Sequence, residues 1–197
     1  MPEEARHLGR AVPKRVSEYT AGRLCARRAL AELGIVGFAV EMAEDRRPVW
    51  PPNVIGSITH TKGYCAAAVA NIAHIRSLGI DCEPTGSVKP ELWHRICTSK
   101  ELGLIESLPE ELRSRAATLV FCAKEAFYKC QYVLVGEPLG FQDAEIEWNE
   151  GLAGISGALK VRATRDIALA QYAAVLEGGF REHQGVLTTA LSVPVDQ

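Results

Sequence analysis

The sequence predicts an α+β fold of antiparallel sheets packed against long helices. Two observations carry this. Apolar residues recur at three- and four-residue steps over 14–33 and 112–135, the period of a helix with one buried face. After Gly136 the pattern changes to short apolar segments divided by Gly, Asn and Asp, which reads as an antiparallel meander. Helix-then-strand order occurs twice and suggests two similar halves.

In the first helix Val16, Tyr19, Leu24, Ala26, Ala29, Leu30 and Leu33 make the stripe, and Gly34 supplies the stop. Arg23 and Arg27 are four apart and share a face, either a solvated stripe or an anion clamp. The stretch from Arg46 to Asn53 is a loop, because Pro48, Pro51 and Pro52 remove too many N–H donors for a ladder. The polar Ser57-Ile58-Thr59-His60-Thr61 segment is expected as a turn, leading into a Cys65–Ala70 strand or helix buried on both faces. Ser77 to Pro84 is a short strand whose period of two puts Asp81 and Glu83 on one face and Cys82 on the other. A helix over Pro90–Ile96 follows, then a capping box with Thr98 as N-cap and Glu101 at N3. The second long helix has its stripe at Leu112, Ala116, Leu119, Val120, Ala123, Phe127, Cys130 and Leu134. Strands are expected over Ala144–Trp148, Ala158–Thr164, Ala170–Leu176 and Gly185–Val193.

With 197 residues, 47% hydrophobic and 23% charged, the chain has globular composition and enough length to bury a core without disulfides or a structural metal. A formal charge of −2 argues against a nucleic-acid coat or a polybasic membrane binder. No stretch reaches the ~20 apolar residues of a spanning helix. The segment Met1–Arg15 is charged and lacks the apolar run of a signal peptide, so a cytoplasmic location is expected. The cysteines at 25, 65, 82, 97, 122 and 130 form no C-x-x-C and no zinc spacing. Most lie in apolar runs, as small core hydrophobes of a reduced protein, and none has the sequence setting of a nucleophile.

The small net charge conceals an asymmetry. Residues 1–30 hold seven basic side chains, Arg10 among them, against three acids, whereas residues 101–150 hold four basic against ten acidic. An anionic ligand would meet the first segment and a cation parts of the second. Three carboxylates stand out. Asp81 and Glu83 sit on an otherwise apolar strand, where two like charges repel and are costly to desolvate without a cation or proton. Glu125 lies mid-helix among Ala123, Ala126 and Phe127. Three hard oxygen donors from two elements suit Mg²⁺ when phosphate and water complete the octahedron. Lys124 and Lys129 bracket Glu125, which suits a metal-bound polyphosphate. Taken singly, each motif also has a plainer reading: Asp81-x-Glu83 as an exposed strand end, Glu125–Lys129 as a surface helix pair, His60 as a satisfied turn histidine.

In order along the chain stand R-x-x-E-x-x-x-G-R-x-C-A-R-x-A-L-x-x-L-G (15–34), R-x-P-x-W-P (46–51), G-S-I-T-H-T-x-G-Y (56–64), G-I-D-C-E-P (79–84) and F-C-A-K-E-A-F-Y-K (121–129). Together they resemble the 4′-phosphopantetheinyl transferases, in the surfactin/enterobactin-type branch, over about residues 14–148. The resemblance implies a pseudo-dimer of two similar α+β halves with coenzyme A in the cleft between them. Residues 1–76 would form the nucleotide side, and 77–197 would carry the metal ligands and the carrier-protein side. It implies transfer of 4′-phosphopantetheine from coenzyme A to a serine of an apo acyl or peptidyl carrier protein, leaving 3′,5′-ADP. Mg²⁺, with Mn²⁺ as the alternative, would be held by Asp81, Glu83 and Glu125. Lys124 and Lys129 would contact phosphates, Thr59 and His60 the nucleotide phosphates, and Arg15, Arg23 and Arg46 the 3′-phosphoadenosine side. Arg27 matches the motif as a phosphate or a packing residue, and Glu101 as a family acid or a cap. Glu125 would deprotonate the serine, with Glu83 as rival and Lys129 as the catalytic cation. A monomer is expected, with neither nucleic acid nor membrane as partner. The family pattern also carries a segment with a strand ahead of the position matching Pro2-Glu3-Glu4, so either the sequence starts late against that pattern or the first half dispenses with an edge strand. That departure keeps open a second reading, a non-catalytic homologue that binds coenzyme A or a carrier protein.

Overall fold

The computed structural model describes residues 1–9, 11–148, 154–166, 168–172 and 175–195. Arg10 lies outside them. Helix α1 (Pro2–Ala5) and a 3₁₀ turn lead into α2 (Pro13–Glu32), which starts on Pro13 at N1 and ends before Gly34, whose φ of 80° no β-carbon obstructs. Glu4 is buried and ties this entry down, accepting from Arg27 and from the Val40 N–H (3.1 Å). Strands β1 (Val54–Thr61) and β2 (Tyr64–Asn71) form an antiparallel hairpin beneath α2. Ala26, Leu30, Val40 and Val54 are the buried residues there, with Trp50, Ile58 and Val69 packed against them.

The remainder is built round one five-stranded antiparallel sheet in the order β3-β7-β6-β5-β4, from β3 (Ile75–Pro84), β4 (Ala144–Trp148), β5 (Ser156–Ala163), β6 (Leu176–His183) and β7 (Val186–Pro194). Helices α3 (Pro90–Ile96) and α4 (Ser99–Ser107) precede α5 (Glu110–Val135), which lies across β3 and β7 and ends at Gly136 with φ 67°. The second hydrophobic cluster gathers α5 residues such as Leu119, Val120, Ala123 and Phe127 against Ile146, Leu159, Leu187 and Leu191 of the sheet.

The fold is α+β with antiparallel sheets, as expected, but its two sheets are unequal, two strands against five among the described residues. Three local expectations need correction. His60 lies within β1, not in a turn, because the chain reverses at Gly63, whose φ is 77°. β2 is half-buried along its length instead of buried on both faces, since it forms the outer strand of a two-stranded sheet. Of the strand expected over Ala170–Leu176 only Leu176 is found as strand among the described residues: Ala168–Gln171 is a 3₁₀ turn, and residues 173 and 174 lie outside the described residues. The strand begins at Leu176 instead and runs through Gly178 and Gly179. A Cβ on Gly178 would stand 2.0 Å from the Ala190 carbonyl oxygen, so this glycine marks close approach of neighbouring strands and not a turn.

Candidate active site

The site lies where α5 crosses β3. In the β3–β7 register Gly79 faces Leu191, Asp81 faces Thr189 and Glu83 faces Leu187, so Ser77, Gly79, Asp81 and Glu83 occupy the sheet face toward α5. The helix is pinned to that face by hydroxyls: Ser77 donates to the Cys130 carbonyl (2.6 Å) and Thr189 to the Cys122 carbonyl (2.9 Å). Between those pins a Cβ on Gly79 would come within 2.0 Å of the Ala126 carbonyl oxygen, so only glycine lets the helix seat this closely. The seating sets Glu125 and Lys129 beside the acidic end of β3.

Lys129 donates to the Ile80 carbonyl (3.0 Å) and to Asp81 Oδ1 (2.7 Å). The same oxygen receives the Thr59 hydroxyl proton (3.0 Å) from β1. Asp81 Oδ2 is buried and has no partner. Burial raises the Glu83 carboxyl above its usual range, and the charges of Asp81 and Glu125 raise it further, against a lowering by Lys129 and the Thr61 hydroxyl. Glu125 is raised for the same reasons, burial first and then Asp81, again opposed by Lys129. Three carboxylates thus share one electrostatic environment with a single ammonium among them. No three His, Cys, Asp or Glu side chains among the described residues close round one point. The donor chemistry nevertheless fits a hard divalent cation: all donors are carboxylate oxygens, one is buried without a partner, and two carboxyls are short of positive charge.

The other expected residues are distributed unevenly. Lys124, expected at phosphates, is 3% exposed. Its ammonium donates to Glu101 Oε2 (2.7 Å) and to the carbonyls of Ile96 (2.8 Å) and Phe141 (2.7 Å), which uses all three protons. Glu101 also accepts from the Thr98 N–H that it caps and from the Ile146 N–H (2.7 Å each), so both residues knot α3, α4, α5 and β4 together. Arg23 is buried, stacks on the Tyr19 ring at 4.2 Å and donates to the Glu41 carbonyl (3.3 Å), with its Nε unpartnered. Arg27, on the same helix face, is paired with Glu4. Arg15 is exposed, and His60 is half-buried on β1 with its neighbour Thr59 turned to the opposite face. Arg46, at φ 70°, lines a cavity of about 520 Å³ between the 43–50 loop with β1 and the β3–α5 face, and Lys129 forms part of its wall.

That cavity adds residues which the sequence reading did not single out. Arg47 lies over the Tyr132 ring (5.3 Å), Tyr132 stacks on Tyr128 (5.4 Å), and Trp50 packs on Gly56, where a Cβ would stand 2.5 Å from its ring. The i, i+4 tyrosines flanking Lys129 were the available signal. The six cysteines are free thiols. Burial pushes Cys65 and Cys97 up to about 12 and Cys82 and Cys130 to about 11, far from nucleophilic thiolates.

The chain was compared with known families, relatives and solved structures. The family described as the 4′-phosphopantetheinyl transferase N-terminal domain matches residues 3–70, and the 4′-phosphopantetheinyl transferase superfamily matches residues 77–176. The 4′-phosphopantetheinyl transferase Svp of Streptomyces mobaraensis is 35% identical over 196 residues, covering 98% of this chain and 78% of that protein. The 4′-phosphopantetheinyl transferase PptT of Mycobacterium tuberculosis is 35% identical over 175 residues, covering 84% of this chain and 73% of that protein. Among solved structures, the holo-[acyl-carrier-protein] synthase of Thermotoga maritima aligns with a TM-score of 0.48 at 20% identity, covering 62% of this chain and 66% of that one.

Proposed function

The chain belongs to the 4′-phosphopantetheinyl transferase superfamily, and from that premise we propose that it moves 4′-phosphopantetheine from coenzyme A to a serine of an apo acyl or peptidyl carrier protein, with Mg²⁺ required. The observation that supports this most directly is the meeting of Asp81, Glu83, Glu125 and Lys129 at the β3–α5 crossing, with Asp81 Oδ2 left bare. Residues 1–76 form the nucleotide side in this reading and 77–197 the metal and carrier side. No helix among the described residues is long and apolar enough to cross a membrane, and the partners are coenzyme A and a carrier protein.

Asp81, Glu83 and Glu125 would hold the divalent cation, which when bound would supply positive charge at the diphosphate. Lys129 reaches the phosphates from the cavity wall while it steadies Asp81. The serine Oγ attacks the phosphorus that bears the pantetheine. A new P–O bond forms there, the P–O bond to the nucleotide breaks, and 3′,5′-ADP leaves. Glu125 accepts the serine proton on a carboxylate oxygen, with Glu83 the rival base. Its carboxyl is raised above the ordinary glutamate range by burial and by Asp81, opposed by Lys129. Arg46 and Arg47 in the cavity lining, with the exposed Arg15, supply positive charge for the 3′-phosphoadenosine end, and His60 offers its imidazole to the nucleotide phosphates. Lys124 is left in its buried knot.

The test incubates apo carriers of fatty-acid, polyketide and peptide type with coenzyme A and Mg²⁺, with a chelator control. The expected result is a mass gain of one phosphopantetheine on the serine, with 3′,5′-ADP released and the gain abolished by chelation. Coenzyme A binding by calorimetry without any 3′,5′-ADP would instead establish the non-catalytic reading.

A further inference from the structure

β3 is hydrogen-bonded to β7 along one edge, but its other edge meets β1 through side chains. The Ile80 N–H donates to Ser57 Oγ (3.1 Å) and the Cys82 N–H to Thr59 Oγ1 (3.1 Å), alternate residues of β1 serving successive free amides of β3. Thr59 has a second task that Ser57 lacks, since its proton goes to Asp81 Oδ1. A hydroxyl carries one proton. With that proton on a carboxylate and the side chain 2% exposed, Thr59 has no donor to offer a phosphate. Thr59 and Lys129 both donate to Oδ1, while Oδ2 stays buried and bare. An ammonium alone, with three protons, can swing across both oxygens of a carboxylate; the second donor on Oδ1 holds the group in one rotation.

Resting on the function proposed above, we infer that Thr59 is a positioning residue, not a phosphate ligand: by holding Asp81 Oδ1 it presents Oδ2 to the divalent cation. Thr61, two residues on along β1, also lowers the Glu83 carboxyl.

The experiment titrates Mn²⁺ alone into the free enzyme, read by electron paramagnetic resonance, for the wild type, Thr59→Val, Thr59→Ser and Ser57→Ala. Loss of a group that orients a metal ligand typically weakens metal binding about 10–100-fold. Thr59→Val is expected to lose affinity in that range, whereas Thr59→Ser keeps it. Ser57→Ala cuts the neighbouring seam bond without touching Asp81 and is expected to leave Mn²⁺ affinity unchanged. Should the valine variant melt early, Thr59→Ala, which adds no bulk, gives the same reading. Wild-type Mn²⁺ affinity in Thr59→Val with a raised KM for coenzyme A would overturn the inference and make Thr59 a phosphate contact. Equal weakening in Ser57→Ala would overturn it too, by making the seam a general brace. Either result leaves the transfer reaction standing, while Mn²⁺ binding of the expected pattern without any transfer would remove the proposed function and leave the positioning role intact.

Discussion

Lys124 and Lys129 lie on one helix in a single motif and serve opposite purposes. Lys129 is partly exposed and holds Asp81, whereas Lys124 is enclosed with all three protons committed. Removing one partner of an enclosed pair leaves an uncompensated charge and typically costs about 3–5 kcal/mol. Lys124→Met should therefore lower unfolding stability by roughly that amount, and Lys124→Met/Glu101→Gln should recover part of it because no lone carboxylate remains. Denaturant unfolding measures both, and a single-variant cost below about 1 kcal/mol would contradict the knot. Asp81→Ala and Glu125→Ala should instead abolish carrier modification with a cooperative fold retained, as seen in the mass assay beside a thermal melt. Sequence spacing picked out the carboxylates because charge in an apolar context is visible locally. It could not separate the two lysines, since what encloses Lys124 comes from residues 96, 101 and 141.

The elements were legible where their signal is periodic or a cap. The stripe of α5, the Thr98–Glu101 box, Gly34 and Gly136 each announce themselves within a few residues. Seating of α5 on β3 was not legible, because it depends on Gly79 meeting Ala126, distant in sequence, and glycine in G-I-D-C-E-P could equally have marked a turn. The β1–β3 seam was hidden for the same reason: Ser57 and Thr59 read as polar turn residues until the amides they serve are known. Gly79→Ala tests the seating. A Cβ 2.0 Å from a backbone oxygen cannot be absorbed by a rotamer change, so strand or helix must shift. Overpacking of this kind typically costs about 1–3 kcal/mol. The expected outcome is a melting temperature lowered accordingly, with transfer activity falling further than stability does because Glu125 and Lys129 move with the helix. Unchanged kcat in a destabilised Gly79→Ala protein would show that the helix position does not set the site.

Across the whole molecule the acidic site opposes folding, and this gives the protein a pH signature. Glu83 and Glu125 are raised in the folded state by burial and then by neighbouring negative charge, so between the ordinary carboxyl value of 4.5 and their raised values the folded chain keeps protons that the unfolded chain releases. Their contribution to stability is complete below 4.5 and is lost as pH rises through the raised values. Glu4 runs the other way. Burial would raise it, but hydrogen bonds from the terminal ammonium, Arg27 and the Val40 N–H outweigh that and hold it low. Its contribution is therefore present above 4.5 and lost as pH falls through its lowered value. At neutral pH the cost of the ionised Glu83 and Glu125 is in force, and in the proposed function a divalent cation is the charge that would offset it. Mg²⁺ at about 100 times its Kd should stabilise the folded chain by about 2.7 kcal/mol, reversibly by chelation. The gain should shrink as pH falls toward 4.5, where protons replace the cation, and should be much reduced in Asp81→Asn. Differential scanning calorimetry over a pH series with Mg²⁺ and with a chelator reads all of this, and a melting temperature indifferent to Mg²⁺ at neutral pH would mean that the carboxylates do not act together on a metal.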